Sequence, residues 1–189
     1  PNSFTGYVAM ILFWLTGYRA VKDPISAPFE LNLNRGILMI ADKTGDGFGY
    51  TRMVPLCETV SDQLGHYVQH LRYMDSALGV TSPENQQPYF YYLNQFLEWR
   101  HVEPKTLSEQ IGWATDLPLN VSRHWLRGAL RAEQVPADYV NAFMGHWSYG
   151  REPWSRHSAL DPFDYKRQLN TALERLAKII RAMPVRGIS

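Results

Sequence analysis

Apolar residues recur at helical steps from the first residues of the chain. Tyr7, Met10, Ile11 and Trp14 form such a stripe, Ser3 stands where a cap would, and the pattern predicts a helix over 3–16 that ends near Gly17. Asp23-Pro24 and Ala27-Pro28 then impose extended or turn structure, because a proline disfavours the α region for the residue before it. The short apolar run GILMIAD (36–42) reads as a strand, TGDGFG (44–49) as a turn, and YTRMVPL (50–56) as a returning strand. In that second strand Thr51 and Met53 alternate with Arg52 and Val54. From Glu58 to Met74 the period becomes helical, with Val60, Leu64, Tyr67 or Val68, Leu71 and Met74 on one face. Residues 79–88 hold two prolines and several polar groups, and read as a loop. YFYYLNQFLEW (89–99) is apolar and aromatic, and its pattern leaves strand and buried helix both open. A short helix is expected over 106–114 and another over 120–132. Pro136 at a first helical position and Gly145 after a last turn bracket the next, and Asp161-Pro162 opens a long one with Leu169, Leu173, Leu176 and Ile180 inward. These elements imply a mainly α chain with a small antiparallel β-sheet (α+β), forming one domain over residues 1–189, without internal repeats or low-complexity tracts.

Composition changes this picture little. A chain of 189 residues with 45% hydrophobic content is long enough to bury a core. No run of about 18 apolar residues exists, so no membrane span is expected. YVAMILFWL (7–15) is too short and lacks the basic flank and cleavage site of a signal peptide. One cysteine, Cys57, excludes a disulfide framework and fits a reducing cytoplasm. Because the chain starts at Pro1 without a methionine, it is expected to be a piece of a longer protein. The net charge is +1, but its distribution is uneven: residues 1–118 carry 8 Lys/Arg against 12 Asp/Glu, and residues 119–189 carry 11 against 6. A positive C-terminal part suggests a polyanionic partner.

Four local patterns carry candidate chemistry. LTGYRA places Arg19 just beyond the first helix, and ADKTGDG places Lys43 where a strand enters a hairpin turn. NVSRHWLR sets Arg123, His124 and Arg127 at the start of a helix, with His124 and Arg127 three apart on one face. MGHW places His146 just past a helix end. Singly, each has an ordinary explanation: a dipole-facing arginine, a solvated lysine, a surface pair, a cap. Together and in this order they resemble the catalytic domain of the tyrosine recombinase (phage integrase) family, which has a T-G-x-R segment, a lysine in a β-hairpin, an H-x-x-R helix and a G-H step before its nucleophile. The resemblance spans roughly Ser3 to Met183.

The resemblance implies a DNA strand transferase, and elementary chemistry says why such groups converge. Attack on a phosphodiester gives a more negative, five-coordinate transition state. Guanidiniums remain charged and donate paired hydrogen bonds to phosphate oxygens. Arg19 and Arg127 would clamp the non-bridging oxygens, with Lys43 and Arg123 also on the DNA. His124 and His146 would donate hydrogen bonds or move protons, and Lys43 would protonate the leaving 5′-oxygen. A tyrosine would attack and form a 3′-phosphotyrosine link. The resemblance further implies double-stranded DNA and self-association into a tetramer as partners, no cofactor or metal, and a bacterial or phage origin. An N-terminal core-binding domain is expected outside this chain, and IIRAMPVRGIS (179–189) reads as a segment that docks on a neighbour or as a frayed end.

The departure is at the nucleophile. In GHWSYGREPWSRHSALDP the slot where a tyrosine is expected holds His157, eleven residues after His146. Tyr149 is only three residues on, and Tyr165 lies nineteen on, at the start of the long helix. Three readings follow: the tyrosine is lost or replaced, Tyr165 serves, or His157 itself attacks; the first is favoured. The alternative function is a non-cleaving DNA-binding module with a recombinase-like fold. A type IB topoisomerase and a metal hydrolase using His124, His146 and His157 rank lower. The one H-x-x-x-H pair, His66 with His70, lies on another helix without the glutamate of a metalloprotease motif.

Overall fold

The structure is a computed structural model and describes residues 2–19, 29–40, 51–79, 91–94, 96, 98–102, 120–147, 152–156 and 158–188. Five helices are described: α1 (Asn2–Thr16), α2 (Glu58–Leu78), α3 (Val121–Ala132), α4 (Ala137–Met144) and α5 (Pro162–Ile179). Strands β1 (Phe29–Asn32), β2 (Ile37–Ile40) and β3 (Arg52–Pro55) form an antiparallel sheet in that order. Strands β4 (Tyr91–Leu93) and β5 (Trp99–His101) pair as a separate antiparallel hairpin. The chain is thus mixed α+β, with two small sheets where one was expected. The stretch left open between strand and buried helix is this second hairpin. Asn94 closes it, its side-chain Oδ1 accepting the N–H groups of Phe96 and Glu98 at 2.9 and 3.0 Å.

Helix α1 is the axis of the core. Val8, Ala9, Ile11, Leu12, Phe13 and Leu15 are all buried, and α2, α3, α5 and β4 pack around it. A helix apolar on nearly every side is a core helix, and its periodicity does not say which face is innermost. Of the expected stripe, only Ile11 is fully buried; Tyr7, Met10 and Trp14 lie on the half-exposed side, and Ser3 falls within the first turn instead of capping it. In α2 the polar and apolar residues alternate clearly, and Val60, Leu64, Tyr67, Leu71 and Met74 are buried as expected. In α5 Asp161 caps, its carboxylate accepting from Phe163 N–H at 2.8 Å, Pro162 fills the first turn, and Leu169, Leu173 and Leu176 point inward. Pro136 occupies the position before α4 instead of its first turn. The hairpin strands pair from Ile37↔Pro55 to Ile40↔Arg52.

Residues after α5 turn back over the helices. The Tyr7 hydroxyl meets the backbone of Met183, the Gln63 amide bonds both the N–H and the C=O of Val185, and His70 Nδ1 accepts from Ile188 N–H. The strip 183–188 therefore lies along α1 and α2 of its own chain. The short helix expected over 106–114 lies outside the described residues.

Candidate functional site

Two helices end side by side because each ends on a left-handed glycine. Gly17 follows α1 with φ +59°, and Gly145 follows α4 with φ +67°, a backbone region that residues with a Cβ rarely enter. After α4 the bond pattern is that of a Schellman turn: Gly145 N–H donates to Ala142 O at 3.2 Å and His146 N–H to Asn141 O at 2.8 Å. The absence of side chains also lets the ends approach. A Cβ on Gly17 would lie 3.2 Å from Met144 Sδ and 3.5 Å from Leu126 Cδ2, and one on Gly145 would lie 3.2 Å from Arg52 Cδ.

Helix C-termini leave carbonyls without intrahelical partners and carry partial negative charge. Two buried arginines meet them here. Arg52, on the inward face of β3 and 1% exposed, donates through Nη1 to Thr16 O at 2.9 Å and Phe143 O at 2.8 Å, and through Nη2 to Gly17 O at 3.0 Å. Arg123, in the first turn of α3 and 7% exposed, donates through Nη1 to Gly17 O and through Nη2 to Met144 O. Its Nη2 also lies 3.4 Å from His146 Nε2. Burying a guanidinium costs several kcal/mol, roughly, unless its donors are matched. Here the acceptors are carbonyls that the helices would otherwise leave bare.

The start of α3 is therefore locked against the ends of α1 and α4. Arg19 stands two residues past Gly17 and is half-buried. His124 lies exposed on α3, one turn before the half-buried Arg127. His146 is exposed immediately after Gly145. The segments that carry Arg19, His124 with Arg127, and His146 thus meet at one junction. Arg123 departs from expectation: in place of a DNA-facing position it is turned inward, because two helix ends offer it carbonyls. Arg127 Nε is buried and has no acceptor among the described residues. Lys43 and His157 lie outside the described residues, as does Tyr149.

Arg52 is the residue that sequence reasoning passed over. Its signal was present, since it shares an alternation with Val54 in a strand whose inward face is apolar. An arginine there needs buried acceptors.

Tyr165 is a core residue. It is completely buried, its hydroxyl donates to Met53 O at 2.6 Å, and burial pushes its phenol far above the ordinary value. Tyr139 and Trp154 pack edge-on against its ring at 5.5 and 4.8 Å between centroids. Trp154 in this way fastens the 152–156 segment to α5. A nucleophile must reach solvent-borne substrate and lose its proton, and Tyr165 is arranged for neither.

Among the described residues no group of three His, Cys, Asp or Glu side chains is placed to hold a metal, and no helix is long and apolar enough to cross a membrane. Comparison of the chain with family models, with curated proteins and with solved structures finds no match.

Proposed function

We propose that this chain is the catalytic domain of a tyrosine-recombinase-like DNA strand transferase, acting on a phosphodiester held between Arg19 and Arg127. The observation that carries the reading is the junction itself. Three sequence-distant segments, each with one part of the phosphate-handling kit, are tied together through Arg123 at Gly17, Met144 and His146. The orphaned Arg127 Nε adds to it: a buried donor without an acceptor costs about 1–3 kcal/mol, and an anionic oxygen would remove that cost. In this reading Lys43, three residues past the end of β2, serves the leaving oxygen. His124 and His146 donate to the phosphate, and His157 marks the nucleophile slot. The fold is then recombinase-like, the partner is double-stranded DNA, and copies assemble on it without cofactor.

A second reading, a DNA-binding relative that does not cleave, is favoured by one observation. Tyr165 is sealed in the core, and Tyr18, between Gly17 and Arg19, is buried as well, so no exposed tyrosine stands at the junction among the described residues. One experiment separates the two. A pool of nicked duplexes with a randomised centre is incubated with the chain and with His157→Tyr, and covalent complexes are read on a denaturing gel. The recombinase reading expects no trapped DNA from the present chain and trapped DNA from His157→Tyr. Binding without trapping by either selects the non-cleaving module. Affinity that stays flat as salt is raised would remove DNA as the partner of both, since phosphate contacts release counterions and must weaken with salt.

A further inference from the structure

We propose that Arg123 is a positioning residue that fixes the place and the tautomer of His146, so that the ring meets an anion through Nδ1–H. What His146 meets rests on the phosphodiester reading; what Arg123 does to it rests on geometry alone. A guanidinium has donors and no acceptor. Arg123 Nη1 is engaged by Gly17 O, and the two hydrogens of Nη2 are shared between Met144 O and His146 Nε2, the latter at 3.4 Å. A ring nitrogen that faces an N–H must present its lone pair. The proton of the neutral imidazole is then on Nδ1, which becomes the only donor the ring has.

The holder is itself immobile. Arg123 is 7% exposed, sits in the first turn of α3 with its N–H on Asn120 O at 3.1 Å, and is anchored to the ends of two other helices. His146 is held from the other side as well, by its own N–H on Asn141 O. An anchor through the backbone and one through Nε2 both bear on this exposed imidazole. Arg123 thereby connects the packing of α1, α3 and α4 to the orientation of one candidate phosphate donor, without touching substrate.

The test is nitrogen-resolved NMR of the imidazoles in the native chain at a pH where they are neutral, with His146→Gln identifying the signal. The expected result is the Nδ1–H tautomer for His146. Arg123→Lys replaces a fork by a compact point charge that does not span three acceptors, and should return the ring toward the Nε2–H form usual for a free histidine. An Nε2–H tautomer in the native chain overturns the proposal whether or not the variant folds. In the His157→Tyr background, Arg123→Lys should lower trapped DNA on the order of 10–100-fold, as loss of a supporting partner does elsewhere. Undiminished trapping also overturns it. An Nδ1–H tautomer in a chain that never traps DNA would leave the positioning role standing and remove the recombinase reading.

Discussion

Two regions of this molecule use polar side chains to hold backbone, and they do it with opposite chemistry. At the junction of helix ends, Arg52 and Arg123 hold the carbonyls of Thr16, Gly17, Phe143 and Met144. Along α1 and α2, Tyr7, Gln63 and His70 hold the strip 183–188. A guanidinium only donates, so it suits helix C-termini, where only acceptors are left over. A hydroxyl, a carboxamide and an imidazole both donate and accept, so they suit an extended segment that offers N–H and C=O in turn. The first arrangement concentrates positive charge, and the Nε donor of the neighbouring Arg127 has no acceptor among the described residues. The second is electrically neutral and closes on itself. The difference makes the junction the region able to take an anion, and makes the strip a seal.

The largest expected effect breaks the junction. Arg52→Leu takes the donor from Thr16 O and Phe143 O and leaves Gly17 O to Arg123 alone, and should destabilise the chain by about 2–6 kcal/mol, at roughly 1–3 for each of the two acceptors left bare. Urea unfolding at neutral pH measures it. If the loss is under about 1 kcal/mol, the ordinary worth of a single hydrogen bond, the helix ends are held by apolar packing and the contrast between the regions disappears.

That contrast also marks what the sequence could and could not reveal. Helices α2 and α5 were legible because a polar face and an apolar face alternate in each, and because Asp161-Pro162 opens α5 and the proline-bearing stretch 79–88 follows α2. Gly17 and Gly145 announced the two helix ends. Strand β1 was not foreseen: four residues, FELN, have too short a pattern, and what makes them a strand is pairing with β2. The β4–β5 hairpin was ambiguous because its run is apolar throughout, and the deciding signal was the turn-forming Asn94. At the site, Arg19, His124, Arg127 and His146 were readable as motifs. Arg123 reads from sequence as one more DNA-facing charge of that cluster, because burial against Gly17 and Met144 is a tertiary fact. Arg52 could have been found, had an arginine on an inward strand face been required to name its acceptors.

A smaller effect is expected from the seal. Gln63→Leu removes both bonds to Val185 and should cost about 1–2 kcal/mol, at ordinary hydrogen-bond values. Gly187→Ala attacks the same strip by crowding, since its Cβ would lie 2.7 Å from the His70 ring and from Phe4 Cε1. Both variants should speed tryptic cleavage at the exposed Arg186. The comparison sharpens if cleavage accelerates while the urea midpoint moves far less than in Arg52→Leu. Equal shifts in both regions would mean that the strip is as integral to folding as the junction.

The smallest effect concerns proton concentration and separates the two chemistries most cleanly. Arginines stay charged at any ordinary pH, so the bonds from Arg52 and Arg123 to the helix-end carbonyls should persist between pH 8 and 5, roughly. His70, by contrast, should respond. It is 2% exposed, stacks edge-on against Phe4 at 4.9 Å, and accepts the Ile188 N–H at 3.1 Å through Nδ1. Burial lowers its pKa below the ordinary 6.5. A histidine held neutral in the folded state contributes fully above its unfolded pKa. As pH falls below that value the unfolded chain takes up the proton first, and stability declines until the folded-state pKa is passed. A charged ring would lose the Ile188 N–H as a donor and instead offer Nδ1–H to Ile188 O, 3.3 Å away. The Ile188 amide should therefore shift in NMR spectra as pH drops from about 7 toward 5, with a midpoint below 6.5. In His70→Gln that titration should vanish. An Ile188 amide indifferent to pH would show that the imidazole is not what holds the strip.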